Sequence, residues 1–286
     1  MRILAFAKGG KPALGVRTDD GVVDLSVVAP RLGADLAALL KARALGLVKA
    51  AAKNAKAKAY VKGKIRHLPP IARPGKIVCV GLNYLDHAAE SPYKEKPKYP
   101  VLFLRVDTSL VGHGAPLVRP RASVQFDYEA EMVAVIGKTA RDVPAAKALG
   151  HVMGYSIFND GSVRDYQFHG PQWTMGKNFD GSGPFGPEIV TADELPPGGA
   201  GLGIQCRLNG QVVQDANTND LIFPVAELVS YISQAMTLEP GDLIVTGTPA
   251  GVGHFRKPPL YMKAGDTCEV EIERIGTLAN PVVDQK

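Results

Sequence analysis

Apolar residues fall along this chain in short runs broken by Gly, Pro or Asp, a spacing that predicts many strands and few helices. The first 28 residues read as RILAFAK, ALGVRT and VVDL, separated by GGKP and DDG, with Asp20-Gly21 as a hairpin signal. Residues 32 to 62 change character. They are Ala- and Leu-rich, Leu36, Leu39, Leu40 and Ala44 have helical spacing, and Asp35 supplies a favourable charge near the start. The proline-punctuated HLPPIARPGK, 67 to 76, predicts a linker. Beyond it KIVCVG, PVLFLRV, YEAEMVAVIG, VMGYSIFND, GIQCRLNGQVV, DLIVTGT and TCEVEIERIGTL predict strands, and helical runs interrupt them around 143–149 and 224–236. The expected fold class is α+β, mainly β. A small N-terminal α/β domain (1–70) precedes a large domain (71–286) of sandwich, roll or barrel type.

Composition narrows the function. A chain of 286 residues, 45% hydrophobic, buries a core without disulfide or metal staples. Cys79, Cys206 and Cys268 are odd in number and widely spaced, which excludes a zinc ribbon or dithiol motif and fits a reducing cytoplasm. No signal-like apolar core and no run of eighteen apolar residues is present, so a cytoplasmic location without a membrane partner is expected. The net charge of +5 is uneven: eleven Lys or Arg and no Asp or Glu lie between Leu36 and Leu85, leaving −6 for the rest. A nucleic-acid-binding module is the remote reading of that basic stretch. It lacks a reading motif and interleaved aromatics, so no nucleic-acid partner is expected.

The densest chemical signal is Phe126-Asp127-Tyr128-Glu129-Ala130-Glu131-Met132. On a strand, alternation turns Asp127, Glu129 and Glu131 to one face. Like charges beside an apolar run need a positive partner, and hard oxygen ligands select Mg²⁺, Mn²⁺ or Ca²⁺. A solvated polar face on an edge strand is the alternative. Asp160 ends a predicted strand, either as a further ligand or as an Asx-turn residue. Lys177, in MGKNFD, is an anion partner or a surface lysine. The strand and glycine-rich loop IVTGTPAGVG offers backbone N–H groups to a carboxylate and is no Walker loop. His87 and Glu90 share a helical face if that segment is a helix, forming a base dyad or a surface pair.

Taken together, the blocks VGLNYLDHAAE, FDYEAEMVAVIGK, GYSIFNDGSVRDYQ, MGKNFDGSGPFGP, LNGQVVQDANTNDLIF, LEPGDLIVTGTPAGVG and KAGDTCEVEIERIGTLANPV resemble the fumarylacetoacetate hydrolase family, from about Lys76 to Val283. The resemblance is to its acylpyruvate- and 2,4-dioxo-acid-cleaving branch. It implies a mixed β-sandwich roll around Mg²⁺ or Mn²⁺, a homodimer, and a substrate with a 2-oxo acid head. It implies Glu129, Glu131 and Asp160 as metal carboxylates, with Asp127 behind them, and Lys177 as the active-site lysine. Gln167 and Thr248 become substrate contacts, His87 and Glu90 a dyad on a mobile lid spanning 84–98, and Arg164 and Asp165 supporting residues. Leu82 stands where many members have Arg, so a positive contact is missing or supplied elsewhere. NDGSVRD replaces the more usual NDVSARD, which suggests a looser loop at Gly161. The implied activity is hydrolysis of a C–C bond in a ketonic 2,4-dioxo acid, giving pyruvate or a related 2-oxo acid plus a carboxylic acid. A 2-oxo-acid decarboxylase of oxaloacetate type, or an oxo–enol isomerase, would use the same metal and lysine.

Overall fold

The computed structural model of the chain describes residues 1–32, 34–91 and 96–286; four residues of the expected lid, 92–95, lie outside the described residues. Its architecture is mixed α+β and strand-rich, built around the strand Ala130–Ile136, every residue of which is buried. That strand pairs antiparallel with Val152–Asn159 on one side and with Leu243–Val245 on the other. Leu243–Val245 runs parallel to Ile77–Gly81, and Val101–Arg105 closes that edge. In the other direction Val152–Asn159 pairs with Gly183–Thr191, which pairs in turn with the N-terminal strand Arg2–Lys8. Lys11–Thr18 and Gly21–Asp24 extend the same sheet, turning at the Asp20-Gly21 signal. A second sheet has the order Gln211–Asn217, Gly203–Leu208, Thr267–Ile272, Gly276–Asp284, Leu117–Arg119.

Alternation explains the layering. Met132, Ala134 and Ile136 pack with Ile204, Cys206, Val270 and Leu278 of the second sheet. Val133 and Val135 face the opposite way, into a cluster with Leu36, Leu39, Leu40 and Val48 of the N-terminal helices. The central sheet is therefore covered on both faces. A doubly covered strand reads as an unbroken apolar run, and VAVIG does.

Two local expectations are revised. The 32–62 stretch forms two short helices, Leu36–Lys41 and Leu45–Lys53, and a 3₁₀ turn, Ala57–Ala59; Asp35 caps the first by accepting from the Ala37 N–H at 2.9 Å. A residue with positive φ, Arg43 at 53°, makes the break, which keeps Leu40 and Val48 on one apolar cluster. Propensity favours the longer helix, and packing overrides it. The strand Gly183–Thr191 escaped sequence reading altogether: GPFGPEIVT carries two glycines and two prolines, which argue against a central strand.

Strands of the 1–70 segment are hydrogen-bonded into the sheet that carries Glu131, with Ile3 opposite Ile189. A fragment spanning 71–286 would keep every acidic residue of the site yet expose Ile189, Phe185 and the edge of Gly183–Thr191. It should be recovered insoluble, or soluble without cooperative thermal unfolding. A cooperative, soluble fragment would make the division at residue 70 a true domain boundary.

The short strand His67–Leu68 pairs with Ala5 and Phe6, and the His67 ring meets the His113 ring edge-on at 5.1 Å. Burial, then His113 and Arg17, push the His67 pKa down from 6.5 to about 4. The folded state thus binds fewer protons than the unfolded chain below pH 6.5, and stability falls as pH drops from 6.5 toward about 4. For this partly exposed ring the loss is about 1 kcal/mol after allowance for solvent screening. His67→Asn should lessen the fall in melting temperature across that window, and an unaltered pH profile would refute the assignment.

Candidate metal and active site

The register of one strand pair assembles the acidic centre. Ala130 lies opposite Asn159, so Glu129 and Asp160 meet at the end of that ladder, and the Asp160 N–H donates to the Glu129 carbonyl at 2.9 Å. The Asn159 side chain steadies the same corner by accepting from the Glu129 N–H at 3.0 Å. Glu131 follows two residues on, and one oxygen from each of Glu129, Glu131 and Asp160 lies within 4.8 Å of the others. All three are buried.

Three buried cations face them. Lys177, from the short helix Thr174–Lys177, bridges Glu129 at 2.7 Å and Asp160 at 2.6 Å. Arg164 spans Glu129 at 2.7 Å and Asp127 at 2.8 Å, and donates to Gln167 at 2.9 Å. Arg105 pairs with the second oxygen of Asp160 and also donates to Ser182 at 2.7 Å. Arg105 was missed in the sequence. The available signal was a lone arginine inside the apolar strand PVLFLRV, because a charge in a buried strand demands a partner.

Asp127 does not join the acidic triad. The strand breaks at Tyr128 and Glu129, and Asp127 instead accepts from Arg164 and from the Gly253 and His254 N–H groups, each at 2.8 Å. It therefore ties the glycine-rich loop to Arg164. The loop after Asp160 is also not loose. Gly161 is buried, and a Cβ there would come within 2.2 Å of the Ser182 carbonyl oxygen, so the glycine serves close packing.

The charge balance sets the protonation states. Burial works to raise the Glu129 carboxyl, but Lys177 and Arg164 outweigh it and hold its pKa at about 2. Burial, with Asp160 and Glu129 alongside, pushes Glu131 well above the carboxylate range. Burial opposes the charge on Lys177, yet Asp160 and Glu129 raise its pKa, so it stays cationic. Counting Asp127, four buried acids face three buried cations, and the clustered oxygens of Glu129, Glu131 and Asp160 fit a hard divalent cation, Mg²⁺ or Mn²⁺.

Other expected residues line one cavity with the acids, its wall including Glu129, Glu131, Arg164, Lys177, Gln167 and Thr248. The Gln214 amide fixes Thr248, donating to its hydroxyl at 2.8 Å, and accepts from the Ala130 N–H at 2.9 Å. His87 and Glu90 lie on the helix Leu85–Glu90, with Nδ1 and Oε1 2.8 Å apart, and His87 lines the cavity. Glu90 is itself held by the Gly251 N–H at 3.0 Å. Asp165 lies apart from the acids and accepts from the Ser123 hydroxyl at 2.7 Å. Leu82 lines the cavity at φ 56°, and Arg164 and Lys177 line the same cavity as cations.

Glu129→Ala and Glu131→Ala should each weaken Mn²⁺ binding by at least about 100-fold, measured calorimetrically, while circular dichroism stays native-like. Unchanged affinity in either variant would dismiss these carboxylates as ligands.

The family described as fumarylacetoacetate (FAA) hydrolase C-terminal is matched over residues 76–283. The chain is 39% identical to mitochondrial oxaloacetate tautomerase fahd2 of Xenopus laevis over 290 residues, covering 99% of this chain and 90% of the relative. It is 40% identical to mitochondrial oxaloacetate tautomerase FAHD2A of Homo sapiens, covering 95% and 88%. Among solved structures it is similar to a maleylpyruvate hydrolase from Sphingobium sp. SYK-6 in complex with manganese(II) and pyruvate, at TM-score 0.81 and 29% identity, with both chains fully covered. A putative HpcE protein from Mycobacterium smegmatis superposes at TM-score 0.89 and 35% identity, again over the whole of both chains.

Proposed function

From the premise that this chain belongs to the fumarylacetoacetate hydrolase family, we propose that it is a divalent-cation-dependent oxo–enol tautomerase of 2-oxo acids. The observation that carries the reading is one cavity in which a buried carboxylate triad bridged by Lys177 meets an imidazole whose Nδ1 is pinned by Glu90. Similarity over nearly the full chain to proteins named oxaloacetate tautomerase favours proton transfer over bond cleavage.

A cation held by Glu129, Glu131 and Asp160 would supply Lewis acidity toward the substrate's carboxylate and 2-oxo oxygen. Gln167 and Thr248 hold the head of the substrate. With Glu90 fixing Nδ1, the Nε2 atom of His87 takes a proton from C3. The C–H electron pair moves to form the C2–C3 double bond, and the carbonyl pair moves to oxygen. Lys177 stabilises that negative charge, and a proton returned to the oxygen gives the enol. The reverse sequence gives the oxo form.

Hydrolytic cleavage of a 2,4-dioxo acid is the second reading, favoured by the same dyad and by the likeness to maleylpyruvate hydrolase. There His87 takes the proton from water, hydroxide adds at the C4 carbonyl, and the C3–C4 bond breaks to a carboxylic acid and an enolate. The reading further includes a homodimer, checked by light scattering, and a reducing compartment, supported by three free buried cysteines. Among the described residues no helix is long and apolar enough to cross a membrane.

With Mg²⁺, ultraviolet decay of enol-oxaloacetate should accelerate without release of pyruvate, and acetylpyruvate should yield none in a lactate dehydrogenase couple. Pyruvate from acetylpyruvate would move the assignment to the hydrolase, and pyruvate from oxaloacetate to a decarboxylase. His87→Gln should lower turnover by about 10²- to 10⁴-fold. Absence of all three reactions would overturn the proposal.

A further inference from the structure

The cavity lining falls into two chemical sets. The polar residues hold the head, and the remainder includes Val80, Leu82, Phe103, Phe168, Trp173 and Phe255. This second set is built closely. Trp173 lies across Gly81, where a Cβ would come within 2.2 Å of the indole. Phe103 meets Trp173 edge-to-face at 5.5 Å, and the Lys177 ammonium sits 5.0 Å from the centre of the Phe103 ring. The apolar wall therefore begins beside the lysine that faces the metal carboxylates. Leu82 keeps its side chain at the cavity from a left-handed backbone, φ 56°, which leucine rarely adopts.

Charge points the same way. Four buried carboxylates, Asp127, Glu129, Glu131 and Asp160, face three buried cations, Arg105, Arg164 and Lys177, all already in ion pairs. A divalent cation and the head carboxylate of one substrate bring this cluster to neutrality. Among the described residues a second carboxylate on the tail would meet no unpaired counter-charge, and Glu90 adds a negative charge beside His87. Among the described residues no other lysine or arginine lines the cavity.

Resting on the 2-oxo acid reading, we infer that this site selects substrates whose tail beyond C3 is uncharged and apolar over those ending in a second carboxylate, with Trp173, Phe103 and Leu82 setting the preference. The natural substrate class is then a 2-oxo acid carrying an alkyl or aryl group.

Two near-isosteric probes isolate the tail: 4-methyl-2-oxopentanoate and oxaloacetate share the head and C3 and differ in an isopropyl against a carboxylate end. Trp173 is the only tryptophan in the chain, so its emission reports contact with the wall. In the Mg²⁺-loaded full chain, 4-methyl-2-oxopentanoate should shift that emission and bind at least about tenfold more tightly than oxaloacetate by calorimetry. Leu82→Arg should move the affinity ratio toward oxaloacetate by about 100-fold. Trp173→Ala should weaken the branched acid about tenfold, and for phenylpyruvate enol the loss should appear in KM rather than kcat. Thermal melting establishes that each variant is folded, and either variant alone decides the question. Tighter binding of oxaloacetate, an unmoved Trp173 emission at saturation, or an unchanged ratio in a folded variant would overturn the selectivity while leaving the tautomerase intact. If neither acid binds or reacts, the 2-oxo acid reading itself fails.

Discussion

The site depends on placing four carboxylates in a buried corner without letting them repel one another apart. Arg105, Arg164 and Lys177 make this possible, each bonded to at least one of the acids. Removing ions from water is costly, and a buried ion pair is weak evidence of net stability. Such a cluster is better understood as a positioned charge distribution. Among the described residues Glu131 is the one acid of the cluster without an ion pair, held by the Gly247 N–H, and it leaves room for a divalent cation.

The rest of the molecule holds that distribution rigid. Glu129, Glu131 and Asp160 lie on or at the ends of two adjacent strands of a sheet covered on both faces, so neither strand can shift without disturbing two apolar layers. Asp127, pinned by the loop N–H groups at Gly253 and His254, transmits the position of the glycine-rich loop to Arg164. That loop in turn holds Glu90 through the Gly251 N–H, so the His87–Glu90 pair and the acidic corner share one support. Rigid support of this kind is what electrostatic preorganisation requires.

Much of this was legible in the chain. The run YEAEMVAVIG reads as a strand, Asp35 marks a helix start, and the His87–Glu90 spacing gives a helical pair with the geometry observed. The resemblance, rather than spacing, separated Asp127 from the triad; alternation alone ranked it with Glu129 and Glu131. Arg105 and the strand Gly183–Thr191 were not recovered. An arginine's buried partner lies 55 residues away in sequence, and a Gly/Pro-rich strand carries no periodic signal.

The sequence by itself determined the residue types, the local elements and the family blocks, because these rest on side-chain period, capping and composition. It also localised the basic charge to one short stretch, away from the acids. Only the tertiary structure decided which charges face which, that the first strands complete the sheet carrying Glu131, and that Trp173 lies over Gly81 to wall the cavity. Those outcomes depend on strand register and close approach between distant segments, and neither is encoded in any single window of the chain.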